Sequence, residues 1–582
     1  PGAGGTQRVP RLTDQQQALQ MLTSGQTLTP KKAKAMGLVT EIAAPDALVE
    51  AAKALIRGGL SPVAPWDQKG FKLPGGPVYS MAGANLWPPA IAILRRETHG
   101  NYPAAAAILK CVYEGLLVPF DTALRIELRY FTEIMQSREA AAMMRSLFIS
   151  LQELNKGARR PGGVPETKFR KIGVLGAGFM GAGIAYVTAR AGIPVVLLDR
   201  DVPSAEKGKA HSAELMDGQI KKGRATTQDK EKLLSLITPT AAYADLDGCD
   251  LVIEAVFEDS AVKKAATEQA EAVLKASAVF ASNTSTIPIT ALANHSARPK
   301  NFVGIHFFSP VDKMMLVEII LGRKTGDKAL ARAIDYVRAI KKTPIVVNDT
   351  RGFYVNRCVL RYMSEAYKML IEGVPAAMIE NAARAAGMPV GPLALTDETA
   401  VDLAQKIMHQ TVRDLGEKAV DPGQMKLIDT LVDKFDRRGR KNGKGFYDYP
   451  QKPAKKTLWP GLKDLYPQKK AEEVDFEELK QRLLTVIALE AARVMEERIV
   501  TDPREADVGS ILAFGFAPYT GGALSYIDGI GAQKFVATAK RLQKKYGAEF
   551  KPPRLLLDMA EKGETFYERF DPYGKAEAKK AA

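Results

Sequence analysis

The stretch over residues 171–199, KIGVLGAGFMGAGIAYVTARAGIPVVLLD, most constrains what this chain can fold into. An apolar run from Ile172 to Leu175 meets Gly176, Gly178 and Gly181 in GxGxxG spacing. A helical stretch follows, and a second apolar run, Pro194 to Leu198, ends at Asp199. That is strand, tight turn, helix, strand. Gly176 permits the turn and Gly178 lets the backbone approach a pyrophosphate. Gly181 lets helix and strand pack closely, with the helix N-terminus facing the phosphates. Asp199 stands where a carboxylate accepts hydrogen bonds from a ribose diol and repels a 2′-phosphate, which favours NAD over NADP. A bare GxGxxG is a common glycine turn; the flanking strands and the terminal acid make this one a dinucleotide turn.

A chain of 582 residues, 46% of them hydrophobic, implies several domains with sizeable cores. No apolar run reaches the roughly 20 residues of a membrane span. No signal peptide is expected, and the opening PGAGGTQR, without an initiator Met, reads as a cut inside a domain. Cys111, Cys249 and Cys358 are dispersed and odd in number, which argues against a disulfide framework and suits a reducing cytoplasm. The five histidines, His99, His211, His295, His306 and His409, lack paired ligand spacing, so no metal site is expected. The net charge of +16 suits nucleic acid, anionic lipid or a polyanionic small molecule. With no recognition helix, zinc module or aromatic-laced basic stripe, nucleic acid is excluded. Coenzyme A, with its phosphates, fits a basic surface. The lysine-rich KAEAKKAA at the C-terminus is expected to be solvated or disordered.

Residues 61–80, SPVAPWDQKGFKLPGGPVYS, read as a linker, and 101–156 as packing helices with apolar positions at three- and four-residue spacing. GARRPGGVP at 157–165 marks a second boundary. From 170 to 348 strands and helices alternate, with strands expected at 172–175, 194–198, 250–256, 278–282, 302–308, 316–320 and 344–347, the pattern of a doubly wound sheet. From 352 the chain turns helical, broken at 439–470, and reads as a diverged repeat. SEAYKMLIEG (364–373) resembles LEAARVMEER (489–498), and Gly391 to Asp397 has the spacing of Gly522 to Asp528.

Chemistry concentrates in ASNTSTIPI (281–289), NFVGIHFFSPVDKMMLVEII (301–320) and DTRGFYVNR (349–357). Ligands of open α/β sheets sit beyond the carboxyl ends of the strands, where Ser285 and His306 are expected. A secondary alcohol gives hydride to NAD only as something takes its proton, which an imidazole does near neutral pH. Glu318, in the next strand, would fix the tautomer and offset the imidazolium charge. Ser285 and Asn356 would hydrogen-bond the substrate oxygen or a thioester carbonyl. Taken singly, each has a plain structural alternative: a core histidine, a helix-capping serine, an ion-pair glutamate, a backbone-bound asparagine.

The ordered set LGAGFMGAGIA, EAVFED, SNTSTIPI, HFFSPV, LVEII, DTRGFYVNR and GRKNGKGFYDY resembles the L-3-hydroxyacyl-CoA dehydrogenases. PGAGGTQRVPRLTDQQQALQMLTSGQTLTPKKAKAMGLVTE is similar to the end of a crotonase-type enoyl-CoA hydratase domain. Together they resemble the multifunctional α subunits of bacterial fatty-acid β-oxidation across essentially the whole chain. The resemblance implies a crotonase-type remnant over 1–60 and a linker and helical segment over 61–165. A Rossmann-type α/β NAD-binding domain over 166–348 and a duplicated all-α C-terminal domain, 349–450 and 451–582, complete it. It makes His306 the base, Glu318 its partner, and Ser285 and Asn356 substrate or cofactor ligands. It also assigns Met180, Asp199, Val256, Phe257, Glu258, Lys263 and Ser309 to the NAD site. At Ser309 relatives often carry Asn, so that contact is weaker here.

The implied activity is NAD-dependent oxidation of L-3-hydroxyacyl-CoA to 3-ketoacyl-CoA in a bacterial cytoplasm. Acyl-CoA is the implied substrate, a thiolase β subunit the implied partner, and a membrane surface a peripheral contact. The family's catalytic hydratase glutamates precede PGAGGTQR, so this chain is expected not to hydrate crotonyl-CoA. Two other readings are a scaffold that organises a thiolase, and a different β-hydroxyacid dehydrogenase. The latter type generally uses a lysine base, against which the His306–Glu318 pair argues.

Overall fold

The computed structural model describes residues 2–451, 453–570 and 572. KAEAKKAA lies outside them. The chain divides into two compact units, Pro1–Ala141 and Ala142–Ala582.

In the first unit, helices Gly5–Leu12, Gln15–Ser24, Met81–Thr98 and Pro103–Gly115 surround a small core of Leu19, Leu22, Val78, Trp87, Val112 and Leu116. Buried Glu127 anchors the opening turn by accepting from the amides of Gly4 (2.5 Å) and Thr6 (2.9 Å). The stretch 61–80 is irregular, but it is no free linker. Val78 sits in the core, and Gln15 Nε2 donates to the Gly76 carbonyl at 2.6 Å. The division at Ala141 falls inside the expected linker and helical segment 61–165. The cause is packing: Arg145 donates to Ser525 Oγ (2.7 Å) and Glu153 pairs with Arg504 (2.9 Å), so the helical turns after 142 belong with the C-terminal helices.

The second unit opens on an eight-stranded sheet of order β3-β2-β1-β4-β5-β6-β7-β8. Its strands are β1 Ile172–Leu175, β2 Val195–Leu198, β3 Ile237–Thr240, β4 Leu251–Glu254, β5 Val279–Ser282, β6 Phe302–Phe307, β7 Leu316–Leu321 and β8 Thr343–Asn348. Adjacent strands run parallel except β6 and β7, which are antiparallel. The inner strands are covered on both faces and so read as apolar runs. The sequence reading missed β3, whose ITPT has no such run. It is an edge strand, where Pro239 costs no ladder bond on its open side. Helix α1, Phe179–Arg190, follows β1 through the glycine turn.

After the sheet, ten helices fall into two similar series of five. The first is α2 Val355–Ile371, α3 Ala376–Ala385, α4 Pro392–Thr399, α5 Val401–Leu415 and α6 Pro422–Asp429. The second is α7 Phe476–Glu496, α8 Pro503–Phe514, α9 Ala523–Ile530, α10 Ala532–Tyr546 and α11 Arg554–Lys562. A carboxylate on the second helix of each series caps the third: Glu380 accepts from Leu393 N (2.8 Å), and Asp507 from Leu524 N (2.8 Å) and Ser525 N (3.0 Å). Asp397 then accepts from Phe446 N (2.7 Å) and Tyr447 N (2.8 Å), as Asp528 does from Phe566 N (2.9 Å). Tyr447 and Tyr567 close each set by donating to Glu380 (2.7 Å) and Asp507 (3.0 Å).

The halves meet along α2 and α7 through reciprocal ion pairs. Arg357 on α2 binds Glu490 on α7 (2.7 Å) and Glu497 just past its end. Arg482 on α7 binds Glu365 on α2 (2.5 Å) and Glu372 just past its end (2.7 Å). The expected boundary at 450/451 falls within the two-stranded ribbon of β9 Tyr447–Asp448 and β10 Thr457–Leu458, ahead of the second series at α7. No helix among the described residues is long and apolar enough to cross a membrane.

Arg482 and Glu365 are both buried, so removing one partner leaves an uncompensated charge. Arg482→Met should lower unfolding free energy by about 3–5 kcal/mol in urea titration. Arg482→Met with Glu365→Gln should recover much of that loss. A double variant as weak as the single one would refute the pairing.

Candidate active site

The glycine turn has the geometry of a dinucleotide cradle. Gly176 has φ 90°, and a Cβ there would lie 2.6 Å from the Ala255 carbonyl oxygen. A Cβ on Gly181 would fall on the Gly176 carbonyl oxygen. A Cβ on Gly178 would meet nothing within 4 Å, so the space over the N-terminus of α1 is open. Gly178 caps α1 without a side chain, which leaves the first helix amides for an anion. Half-buried Asp199 closes the turn: its Oδ2 accepts from Ala177 N (2.6 Å) and its Oδ1 from Arg200 N (2.7 Å). Met180 is half-buried at the start of α1. Open amides at a helix N-terminus beside a carboxylate fit NAD.

His306 on β6 and Glu318 on β7 are register partners of the antiparallel pair. Their side chains meet with Nδ1 and Oε2 at 2.8 Å, both buried. The other oxygen, Oε1, accepts from Tyr354 N (3.1 Å) and Val355 N (2.9 Å), the first amides of α2. Phe308 and Phe353 wall the imidazole, with ring centroids 4.5 and 5.7 Å away. Phe353 takes a left-handed φ of 51° as the chain enters α2. His306 Nε2 has no hydrogen-bond partner among the described residues. An imidazole held so at Nδ1 accepts a proton at Nε2.

Asn356, in the first turn of α2, donates through Nδ2 to the Ser285 carbonyl oxygen at 3.0 Å. The loop carrying Ser285 is gathered by Glu258. Glu258 Oε1 accepts from Thr284 Oγ1 (2.7 Å), Ser285 N (2.9 Å) and Thr286 N (3.2 Å). Lys263 is buried and bridges Glu254 (2.8 Å) and Glu258 (3.1 Å). Burial alone would raise the Glu258 carboxyl; Lys263 and the Thr284–Ser285 donors outweigh it and hold it below the usual range. Lys263, expected in the NAD site, therefore spends its ammonium on two carboxylates. Phe257 is 79% exposed, Val256 half-buried and Ser309 exposed.

Two residues beyond the sequence reading complete the arrangement. Glu254, the last residue of β4, accepts from Val256 N (2.9 Å) and Ser282 Oγ (2.7 Å). Asn283 Oδ1 accepts from Phe307 N (2.8 Å), tying the Ser285 loop to the His306 strand. In the sequence Glu254 ends an apolar run and opens the EAVFED motif.

Residues 171–350 match the family model described as the NAD-binding domain of 3-hydroxyacyl-CoA dehydrogenase, and 352–449 match that of its C-terminal domain. The chain is 37% identical over 573 residues to the fatty acid oxidation complex subunit alpha of Shewanella halifaxensis, covering 97% of this chain and 79% of the relative. The Shewanella amazonensis subunit is 37% identical over 575 residues, covering 97% and 80%. Among solved structures, 3-hydroxybutyryl-CoA dehydrogenase from Escherichia coli superposes with a TM-score of 0.59 at 25% identity, over 68% of this chain and 99% of that one. The dehydrogenase part of multifunctional enzyme 1 from C. elegans shares the fold, with a TM-score of 0.53 at 22% identity, over 71% and 96%.

The glycines make a differential prediction. Gly181→Ala should destabilise the protein, because its Cβ strikes backbone. Gly178→Ala should leave the thermal midpoint almost unchanged yet weaken NADH binding about tenfold or more, since its Cβ intrudes only on ligand space. Thermal unfolding and NADH fluorescence titration separate the two; tight NADH binding by Gly178→Ala would refute the cradle.

Proposed function

The chain belongs to the family of fatty acid oxidation complex α subunits, and we propose the residue roles by which it works as an NAD-dependent 3-hydroxyacyl-CoA dehydrogenase. The reaction oxidises L-3-hydroxyacyl-CoA to 3-ketoacyl-CoA, and bound NAD supplies the acceptor for the substrate's hydride. The observation that carries the assignment is the buried His306–Glu318 pair with Nε2 unengaged. His306 takes the 3-hydroxyl proton at Nε2. Glu318 keeps the ring in the required tautomer and offsets the imidazolium charge, and the two α2 amides keep its carboxylate oriented.

Asn356 and Ser285 bind the substrate oxygen or the thioester carbonyl, their loop and helix already joined by a hydrogen bond. Gly176, Gly178, Gly181 and Met180 cradle the pyrophosphate, and Asp199 receives the ribose hydroxyls. Val256, Phe257, Glu258 and Ser309 wall the nicotinamide side, with Lys263 acting through Glu258. Residues 1–60 correspond to crotonase-type sequence. A thiolase partner and a bacterial cytoplasmic setting complete the proposal, in keeping with relatives that are named as subunits of a complex.

The test is steady-state turnover of 3-hydroxybutyryl-CoA followed by NADH absorbance. His306→Gln should lose roughly 10²- to 10⁴-fold in kcat while NADH affinity is retained. Glu318→Gln should lower kcat and move the rising limb of the pH–rate profile to lower pH, because the imidazolium loses its counter-charge. Near-full activity in His306→Gln would remove it as the base. Asp199→Ala should weaken NAD⁺ binding and narrow the gap to NADP⁺; equal efficiency with both cofactors in the unmutated protein would overturn the role of Asp199.

A further inference from the structure

The loop 308–315 joins β6 to β7 and opens two residues past His306. It carries two groups of the candidate site. Phe308 sets its ring edge-on to the imidazole, with centroids 4.5 Å apart, and Ser309 follows it in the chain. One loop side chain is anchored on the dinucleotide helix: Val311 is buried against α1, where a Cβ added to Gly183 would come within 2.8 Å of it. Inside the loop the Pro310 carbonyl oxygen accepts from Lys313 N and Met314 N, both at 3.0 Å. The carbonyl oxygens of Val311 and Met314 turn to a different donor.

That donor is Lys342, a buried residue one position ahead of β8. Its Nζ donates to the Val311 oxygen at 2.6 Å and to the Met314 oxygen at 2.5 Å. Beside it, Thr343 N donates to the Met315 carbonyl oxygen at 2.8 Å, so two consecutive residues hold three loop carbonyls. The helix Asp327–Ala339 ends sharply just before, with Lys341 at φ 59° and Lys342 N donating to the Val337 carbonyl oxygen at 3.0 Å. Helix end and strand start therefore both fix where Lys342 stands. An ammonium taken out of water is costly, and here its partners are backbone oxygens rather than a carboxylate. Burial pulls it down to about 8, with Asp312 opposing the fall and Arg190 adding to it. An unbranched methionine would fill similar space without that cost, so packing does not account for a lysine here. What the ammonium adds is grip: several donors on one charged atom, each bond stronger than a neutral one.

We propose that Lys342 is a positioning residue of the dehydrogenase: it clamps the loop 308–315 so that Phe308 screens His306 from water and Ser309 keeps its place at the cofactor. The inference rests on the dehydrogenase reading above and adds to it the group that holds the wall of the base. Lys342 acts through the loop backbone. Together with the Val311–Gly183 contact it ties the loop to α1 at one point and to the start of β8 at another.

The experiment follows carbethoxylation of the histidines by diethyl pyrocarbonate at fixed pH, read peptide by peptide in a mass spectrometer. His99, His211, His295 and His409 are the internal controls. Lys342→Met should speed modification of His306 about tenfold and leave the other four within about twofold, the loss of a charge-assisted clamp being worth about that factor. The same variant should lower kcat/KM for 3-hydroxybutyryl-CoA about tenfold. Phe308→Ala should bare His306 to a similar extent, and adding Lys342→Met to it should change the rate little further, since both act through one ring. Should Lys342→Met not fold, Lys342→Gln, which keeps an uncharged amide donor, should move the His306 rate in the same direction by less. An unchanged His306 rate in the folded Lys342 variants, a rise shared by all the histidines, or effects that multiply in full in the double variant would each overturn the proposal. The labelling does not depend on turnover, so the two readings fail separately. If His306→Gln stays active while Lys342→Met still bares His306, the role of His306 as base falls and with it the catalytic part of the proposal. If His306→Gln is inactive while Lys342→Met leaves His306 shielded, the clamp alone falls.

Discussion

Glu318 is the point at which sheet and helices are fastened to each other. It stands on β7 opposite His306 on β6, and one oxygen holds the imidazole. The other accepts the two amides that open α2. A buried carboxylate is tolerated only when its lone pairs are satisfied, and here a helix N-terminus and a histidine satisfy them. The same contacts bring Asn356 beside the Ser285 loop. With an apolar residue in place of Glu318, the imidazole would lose its Nδ1 partner and the two amides that open α2 would lose theirs.

The duplication explains why so helical a C-terminal region needs two series. Helix α2 carries Asn356 on one face and must bury the other. It does so against α7, its own counterpart, through Arg357 with Glu490 and Arg482 with Glu365. The partners exchange roles about a local two-fold, as the two copies of an isologous interface do. The capping carboxylates repeat as well. Glu380 and Asp507 hold the next helix, and Asp397 and Asp528 hold a Phe-Tyr backbone turn. Burial pushes Asp397 up to about 6 and Asp528 to about 7, a cost both halves keep because each carboxylate ties distant segments together. The second series has diverged at the position that bears chemistry. In register with Arg357 and Arg482, Asn356 corresponds to Gln481, which binds Arg541 (2.7 Å) on the surface.

The sheet and its turn were legible because they rest on local rules. Buried parallel strands demand apolar runs, and the dinucleotide turn demands glycine at fixed offsets. β3 was illegible for the same reason, since an edge strand of ITPT carries neither signal. The repeat was visible in the spacing from Gly391 to Asp397, where a Cβ on either Gly391 or Gly522 would collide with the capping carboxylate. The reciprocal ion pairs were not visible, because nothing in a list of arginines and glutamates says which pairs a fold will bury. Likewise the Pro/Gly-rich stretch at 61–80 reads as a linker by composition, yet one buried side chain, Val78, docks it.

The candidate site divides along the same line. Residues whose identity is set by chemistry, His306, Glu318, Asp199 and the glycines, stand out by type and spacing. Residues that set geometry do not. Glu258, Lys263 and Glu254 form a charged knot in which a single ammonium satisfies two carboxylates, and those carboxylates in turn hold the Ser285 loop and the end of β4. Such a knot is worth little as a stabiliser, because desolvating Lys263 and Glu254 offsets most of their attraction. Its value lies in direction. With one oxygen of Glu258 gathering Thr284, Ser285 and Thr286, the loop cannot move away without giving up these hydrogen bonds. The loop that faces the substrate is thus held by electrostatics on one side and by Asn356 on the other, and both restraints trace back to helix α2 and strand β4 rather than to the loop's own sequence.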